Sequence, residues 1–236
     1  MKKIIFAVGL AITLVAALVF GTADSAITTS TLPQTEQTVI LIDAGHGGVD
    51  GGAVASDKTL EKDLNLQIAE RLKTMAVLFG FKVQTTRTAD ISIHDDTAKT
   101  IRQKKISDIK NRLNMLESGE AQYIVSIHQN IFSESKYRGT QVFYGGKNSK
   151  SKALAQSVQS SVKAMLQPEN NRAVKKSTKD IYLLYHATKP SVMVECGFLS
   201  NGAELELLKS EEYQNKLCFA IINGLINYEQ QKTADQ

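Results

Sequence analysis

Four side chains far apart in the sequence carry groups suited to joint hydrolytic chemistry: His46, Glu61, His128 and Glu195. Two imidazoles and one carboxylate make the donor set of a catalytic zinc ion, with a fourth position left open for water. Zinc in such a set acidifies its water and polarises a carbonyl. A second, unligated carboxylate can take the water's proton and deliver it to a leaving amine. Glu61 as ligand and Glu195 as base fit these roles, but spacing alone leaves open which glutamate does which.

The local sequence says how each residue is placed. His46 lies in Asp43-Ala44-Gly45-His46-Gly47-Gly48, directly after the apolar β-formers Val39 to Ile42. Glycines admit positive φ and close backbone approach, and they leave the imidazole as the only large group in the loop. Taken alone, a histidine in such a turn is more often a turn residue than a ligand. Glu61 opens a segment in which Leu64, Ile68, Leu72, Met75 and Phe79 recur at helical spacing, and it lies on the same stripe. A carboxylate at the inward end of a core-facing stripe needs a cation, a hydrogen-bond network or a metal. A first-turn glutamate that only complements the helix dipole is an equally weighted alternative.

His128 ends the nearly continuous apolar run from Tyr123, and Asn130 follows two residues on. Runs of that kind are buried on both faces of parallel sheets. Val192-Met193-Val194 leads straight into Glu195 in the same way. His46, His128 and Glu195 therefore all fall at or just past the C-terminal ends of candidate strands. In an open parallel α/β sheet those ends share the edge where ligands bind.

The elements that position them alternate. Extended segments are expected at Val39 to Asp43, Lys82 to Arg87, Gln122 to His128, Thr140 to Tyr144, Ile181 to Tyr185 and Val192 to Glu195. Helices are expected at Glu61 to Phe79, Thr100 to Leu116, Lys152 to Leu166, Ala203 to Leu208 and Glu212 to Tyr228. This order implies an α/β fold: an open, mostly parallel twisted sheet of about six strands flanked by helices, with the zinc site at its C-terminal edge. Glu169 to Asp180 reads as a long polar surface loop.

Composition agrees with one globular domain, since 42% of residues are hydrophobic and 22% charged. A net charge of +4 is too small to argue for nucleic acid. Residues 1–26 read as a signal peptide or membrane anchor, because Lys2 and Lys3 precede an uncharged stretch from Ile4 to Gly21. Residues 27–37 follow as a flexible tether, 38–230 as the catalytic domain and 231–236 as a polar tail. Cys196 and Cys218 sit in apolar surroundings and read as small buried hydrophobes.

The combined motifs resemble the zinc-dependent N-acetylmuramoyl-L-alanine amidases of the bacterial cell wall. The matching stretches are Asp43-Ala-Gly-His46-Gly-Gly with Gly52-Ala53, Glu61-Lys62, Ser126-Ile-His128-Gln-Asn130 and Glu195-Cys-Gly-Phe-Leu-Ser-Asn201. The resemblance implies that His46, Glu61 and His128 bind one Zn2+ and that Glu195 is the catalytic carboxylate. It implies peptidoglycan as substrate, cut at the amide between muramic acid and L-alanine, and gives no substrate-binding residues. The family usually has proline where this chain has Ala44, and often where it has Gly51, which softens the expected His46 loop.

The chain looks most like the sporulation and germination amidases of the spore cortex, where stem-peptide removal prepares muramic-lactam formation and a muramoyl deacetylase acts in the same pathway. That implies an exported, extracytoplasmic protein, secreted or tethered to the outer face of the cytoplasmic membrane, in the forespore intermembrane space if sporulation-specific. An accessory activating protein fits the softened loop. A general autolytic or cell-separation amidase, a non-catalytic peptidoglycan-binding module and a zinc peptidase are the competing readings. Arg112 reads as a solvated or ion-paired helix residue. His94 beside Asp95 and Asp96 reads as a polar loop, and His186 as a structural or rim residue at a strand end.

Overall fold

The computed structural model describes residues 37–234. The expected export segment, the tether up to residue 36 and the last two residues of the tail lie outside the described residues. Among the described residues, no helix is long and apolar enough to cross a membrane.

Six strands form one sheet in the order β2-β1-β3-β6-β4-β5. They are β1 (Val39–Ala44), β2 (Lys82–Thr85), β3 (Tyr123–Asn130), β4 (Gln141–Tyr144), β5 (Lys175–Lys176) and β6 (Ser191–Phe198). β2, β1, β3 and β6 run parallel, while β4 runs antiparallel to β6 and carries β5 with it. The expected open, mostly parallel α/β sheet of six strands is therefore what forms. The apolar runs in β1, β3 and β6 are the central strands, and both of their faces are covered.

One face takes Ile40, Ile42, Val125, Ile127 and Val194 into a core closed by α1 (Glu61–Leu78), α3 (Lys150–Met165) and α6 (Glu211–Ala234). The other face packs Leu41 and Ile124 against α2 (Ile101–Ser118) and α4 (Tyr182–His186). Thr100 and Gln103 form a capping box at the start of α2, which satisfies two otherwise unpaired amides. Asn201 caps α5 (Gly202–Lys209) through the amide of Glu204. Both cysteines are buried and free, as their apolar surroundings predict.

Three expectations are corrected. Ile181 to Tyr185 was expected as a strand, but Tyr182–His186 is a short helix whose Leu183 and Leu184 are buried. A five-residue apolar run satisfies either period, and packing against Leu116 and Ile124 decides the matter here. Lys175–Lys176 is a short edge strand inside the stretch read as a polar loop. Phe79 completes the stripe of α1 on paper, yet it is the helix C-cap and 47% exposed.

Register sets up the chemistry. β1 and β3 align Ala44 with Ile127, and β3 and β6 align His128 with Glu195. The ladder shifts between His128 and Asn130, where a bulge turns the strand end. At the opposite pole, Gln37 Nε2 donates to the Gly80 carbonyl just before β2, and the chain enters β1 from there.

Candidate active site

The loop after β1 turns sharply at His46, which adopts φ 63°, the left-handed region that few non-glycine residues occupy. The turn is held from outside by two arginines. Arg112 on α2 donates to the carbonyls of Ala44 and His46 at 2.7 Å each. Arg87 donates to the carbonyls of Ala44 at 2.9 Å and Gly45 at 3.0 Å. These bonds fix the loop that Ala44 and Gly51 were expected to soften.

Gly45 and Gly52 are sterically required against the side chains of the site. A Cβ on Gly45 would meet His128 Nε2 at 2.2 Å, and one on Gly52, at φ 68°, would meet Glu61 Oε2 at 2.6 Å. Glycine lets the backbone press against the side chains of the site.

Glu61 sits between the two imidazoles. Its Oε2 lies 3.1 Å from His46 Nε2, and its Oε1 lies 3.0 Å from His128 Nδ1. The donor atoms of His46, Glu61 and His128 all lie within 4.8 Å of one another. The backbone amides of Ala53 and Gln129 hold the carboxylate at 2.8 and 3.0 Å. Asn65, one turn along α1 and fully buried, bridges Gln129 to the Gly45 carbonyl. The inward carboxylate thus has partners rather than solvent, which settles the choice left open by the helix stripe.

Charge follows this geometry. Burial opposes protonation of His46, but the hydrogen bonds and charges of Asp50 and Glu61 outweigh it and raise the pKa to about 9. Burial likewise works against the Glu61 carboxylate, and the two histidines hold it far below the usual range. Asp50 receives His46 Nδ1 at 2.8 Å and the Lys105 ammonium at 2.6 Å.

Glu195 differs from Glu61. Burial and the nearby Glu61 charge push it up against the attraction of the histidines, to about 7. Its Oε2 is buried and has no hydrogen-bond partner among the described residues. It faces a cleft of about 800 Å³ that also contains His46, Glu61, His128, Asn130 and Lys105. A carboxyl poised near neutrality beside a three-donor cluster is suited to moving a proton.

A family profile described as N-acetylmuramoyl-L-alanine amidase matches residues 40–227. The chain belongs to that amidase family. It is 36% identical over 190 residues to the germination-specific N-acetylmuramoyl-L-alanine amidase of Bacillus subtilis, spanning 80% of this chain and 79% of that one. Among solved structures, the CwlD amidase of Clostridioides difficile, in complex with the GerS lipoprotein, is 43% identical with a TM-score of 0.78. That match covers 82% of this chain and 99% of the other. The amidase AmiC2 of Nostoc punctiforme is 29% identical with a TM-score of 0.70, covering 82% and 97%.

Amidases of this family are zinc-dependent in general, and the donor chemistry here fits: two neutral-capable imidazoles and a carboxylate held by amides. All four residues singled out from the sequence come together at the strand edge of this amidase. Arg112 proves to be ion-paired rather than solvated, 1% exposed and bonded to Asp43 and Asp108. His94 is a loop residue bonded to Ser92, and His186 ends α4, where it stacks near Tyr182. Sequence reasoning missed Asp50, Asn65 and Arg87. An Asp four residues after a glycine-flanked His was the available signal for Asp50.

Proposed function

We propose that the protein is a zinc-dependent N-acetylmuramoyl-L-alanine amidase that removes stem peptides from peptidoglycan during spore cortex maturation. The observation that carries the reading is the trio His46, Glu61 and His128, with donor atoms within 4.8 Å, beside the partnerless Glu195 Oε2. His46, Glu61 and His128 would hold one zinc ion. Zinc there would supply an acidified water and a polarised carbonyl.

Glu195 takes a proton as water adds to the lactyl carbonyl, and returns it to the alanine nitrogen as the C–N bond breaks. The products are a lactyl carboxylate on the glycan and a free amine on the peptide. Asp50 fixes the His46 tautomer by accepting from Nδ1, which leaves Nε2 to face the metal.

The spore-cortex assignment is supported by the germination-specific and CwlD relatives. An extracytoplasmic location follows from that substrate, with the first 26 residues as the export segment or anchor. The GerS complex of the C. difficile relative supports an accessory lipoprotein as partner, and a muramoyl deacetylase would complete the lactam.

The test is digestion of purified peptidoglycan with product identification by mass spectrometry. Peptides beginning at a free L-alanine amine, together with glycans bearing lactyl acids, are expected with zinc and lost with a chelator. Cleavage inside the peptide, or stoichiometric muropeptide binding without turnover, would overturn the reading.

A further inference from the structure

Arg172 stands beside the site and, among the described residues, has no anionic partner in hydrogen-bond or ion-pair contact. Its Nη2 donates to Gln141 Oε1 at 2.5 Å, and its guanidinium stacks 4.8 Å from the centre of the Phe198 ring. Gln141 on β4 lies opposite Glu195 on β6, and such cross-strand neighbours share one face of a sheet. Arg172 is therefore one side chain removed from the proposed base. Among the described residues only Nη2 of its side-chain nitrogens has a protein acceptor, and Nε is buried with none.

Such a cation is costly. Burial disfavours its charge and lowers its pKa, while the carboxylates of Glu204 and Glu195 act on it through space without bonding to it. The residue also borders a surface groove of about 870 Å³ shared with Arg138, Tyr137 and Asn201. Tyr137 stacks between Phe132 and Phe198, with ring centres 4.9 and 6.3 Å away. The Arg172 guanidinium over the Phe198 ring, with Arg138 lining the same groove and Gln141 opposite Glu195, forms a receptor for a planar anion. Arginine suits carboxylates because its fork donates two parallel bonds.

We propose that Arg172, aided by Arg138, binds a carboxylate of the stem peptide and selects acidic peptides for cleavage. The inference rests on the amidase reading above. Chemistry places the ligand on the peptide side. The lactyl carboxyl of the substrate is already an amide and the amino sugars are neutral, so the remaining carboxylates belong to the peptide. Phe198 fixes the guanidinium plane in advance, which reduces the ordering cost on binding.

The experiment compares two synthetic muramoyl peptides that differ only in having free or amidated peptide carboxylates, cleaved by the zinc-loaded full chain. The wild type is expected to favour the free acid by about tenfold or more in kcat/KM, expressed in KM. Arg172→Gln brings the ratio of the two substrates close to one, and Arg172→Lys restores part of it. A fall of equal size on both substrates, or a wild type that does not discriminate, overturns the subsite and leaves the amidase reading standing. A wild type that releases no peptide from either substrate overturns the amidase reading itself. Should Arg172→Gln fail to fold by circular dichroism, Arg138→Gln at an exposed position carries the test: the ratio drops several-fold, and an unchanged ratio overturns the proposal.

Discussion

His46 Nδ1 lies 2.8 Å from Asp50 Oδ2, so the orientation of this imidazole, which turns Nε2 toward Glu61, is set by a carboxylate four residues away in the same loop. Lys105 from α2 holds the other Asp50 oxygen at 2.6 Å, which ties the loop to a helix on the opposite flank. Asp50→Ala should weaken zinc binding by about 10- to 100-fold, the usual effect of losing such an outer partner. Chelator competition measures it, and an unchanged affinity would show that the loop backbone alone orients the ring.

Zinc affinity should depend steeply on pH. Without metal, His46 carries a proton up to about pH 9, and zinc must displace it. Apparent affinity should therefore rise about tenfold per pH unit from pH 7 toward 9 and flatten above. Calorimetry in buffers of different ionisation enthalpy should count about one proton released at pH 7.5. No proton release at that pH would contradict the raised pKa.

Stability of the zinc-free protein should fall as pH rises. Glu195, at about 7 in the fold and about 4.5 unfolded, binds more protons folded between those values, so stability declines through that window. His46, at about 9 folded and 6.5 unfolded, gives stability that is whole below pH 6.5 and lost toward pH 9. Both slopes have the same sign between pH 5 and 9. Thermal melting with and without zinc should show a metal-induced rise in Tm that grows with pH; a constant rise would speak against it.

Glu195→Gln should retain zinc and lose activity by roughly a hundredfold or more, because the amide cannot accept the proton. Metal content and turnover on purified peptidoglycan separate the two effects. Full activity in that variant would move the base elsewhere in the cleft.

Arg112→Met should destabilise the domain by about 3–5 kcal/mol, since it strands the buried Asp43 carboxylate. The pair is 2.5 Å apart with side chains 2% and 1% exposed, and Ser126 and Thr86 also donate to Asp43. Urea unfolding of the zinc-loaded protein provides the measurement. A loss below 1 kcal/mol would mean that the pair and its desolvation nearly cancel.

The site was legible because its residues sit where local pattern is strongest. His128 and Glu195 end apolar runs, and Glu61 opens a helical stripe, so each could be assigned to a strand end or a first turn. What was illegible depended on distant partners. Arg112 looks like any polar helix residue until Asp43, 69 positions away, is brought against it. Ile181 to Tyr185 was misread because an apolar run of five residues carries no period of its own. Arg87 and Asn65 act on backbone carbonyls, and no sequence motif marks a side chain whose partner is the main chain.

The parallel sheet also fixes a direction. Gln37 and Gly80 mark the pole where the described chain enters, and the His46, Glu61 and His128 cluster crowns the far ends of the same strands. β1 alone, six residues long, spans about 20 Å between them. The cleft therefore opens one strand length away from the residue at which the described chain enters the sheet, and the hydrogen-bonded strands between them hold that separation rigid.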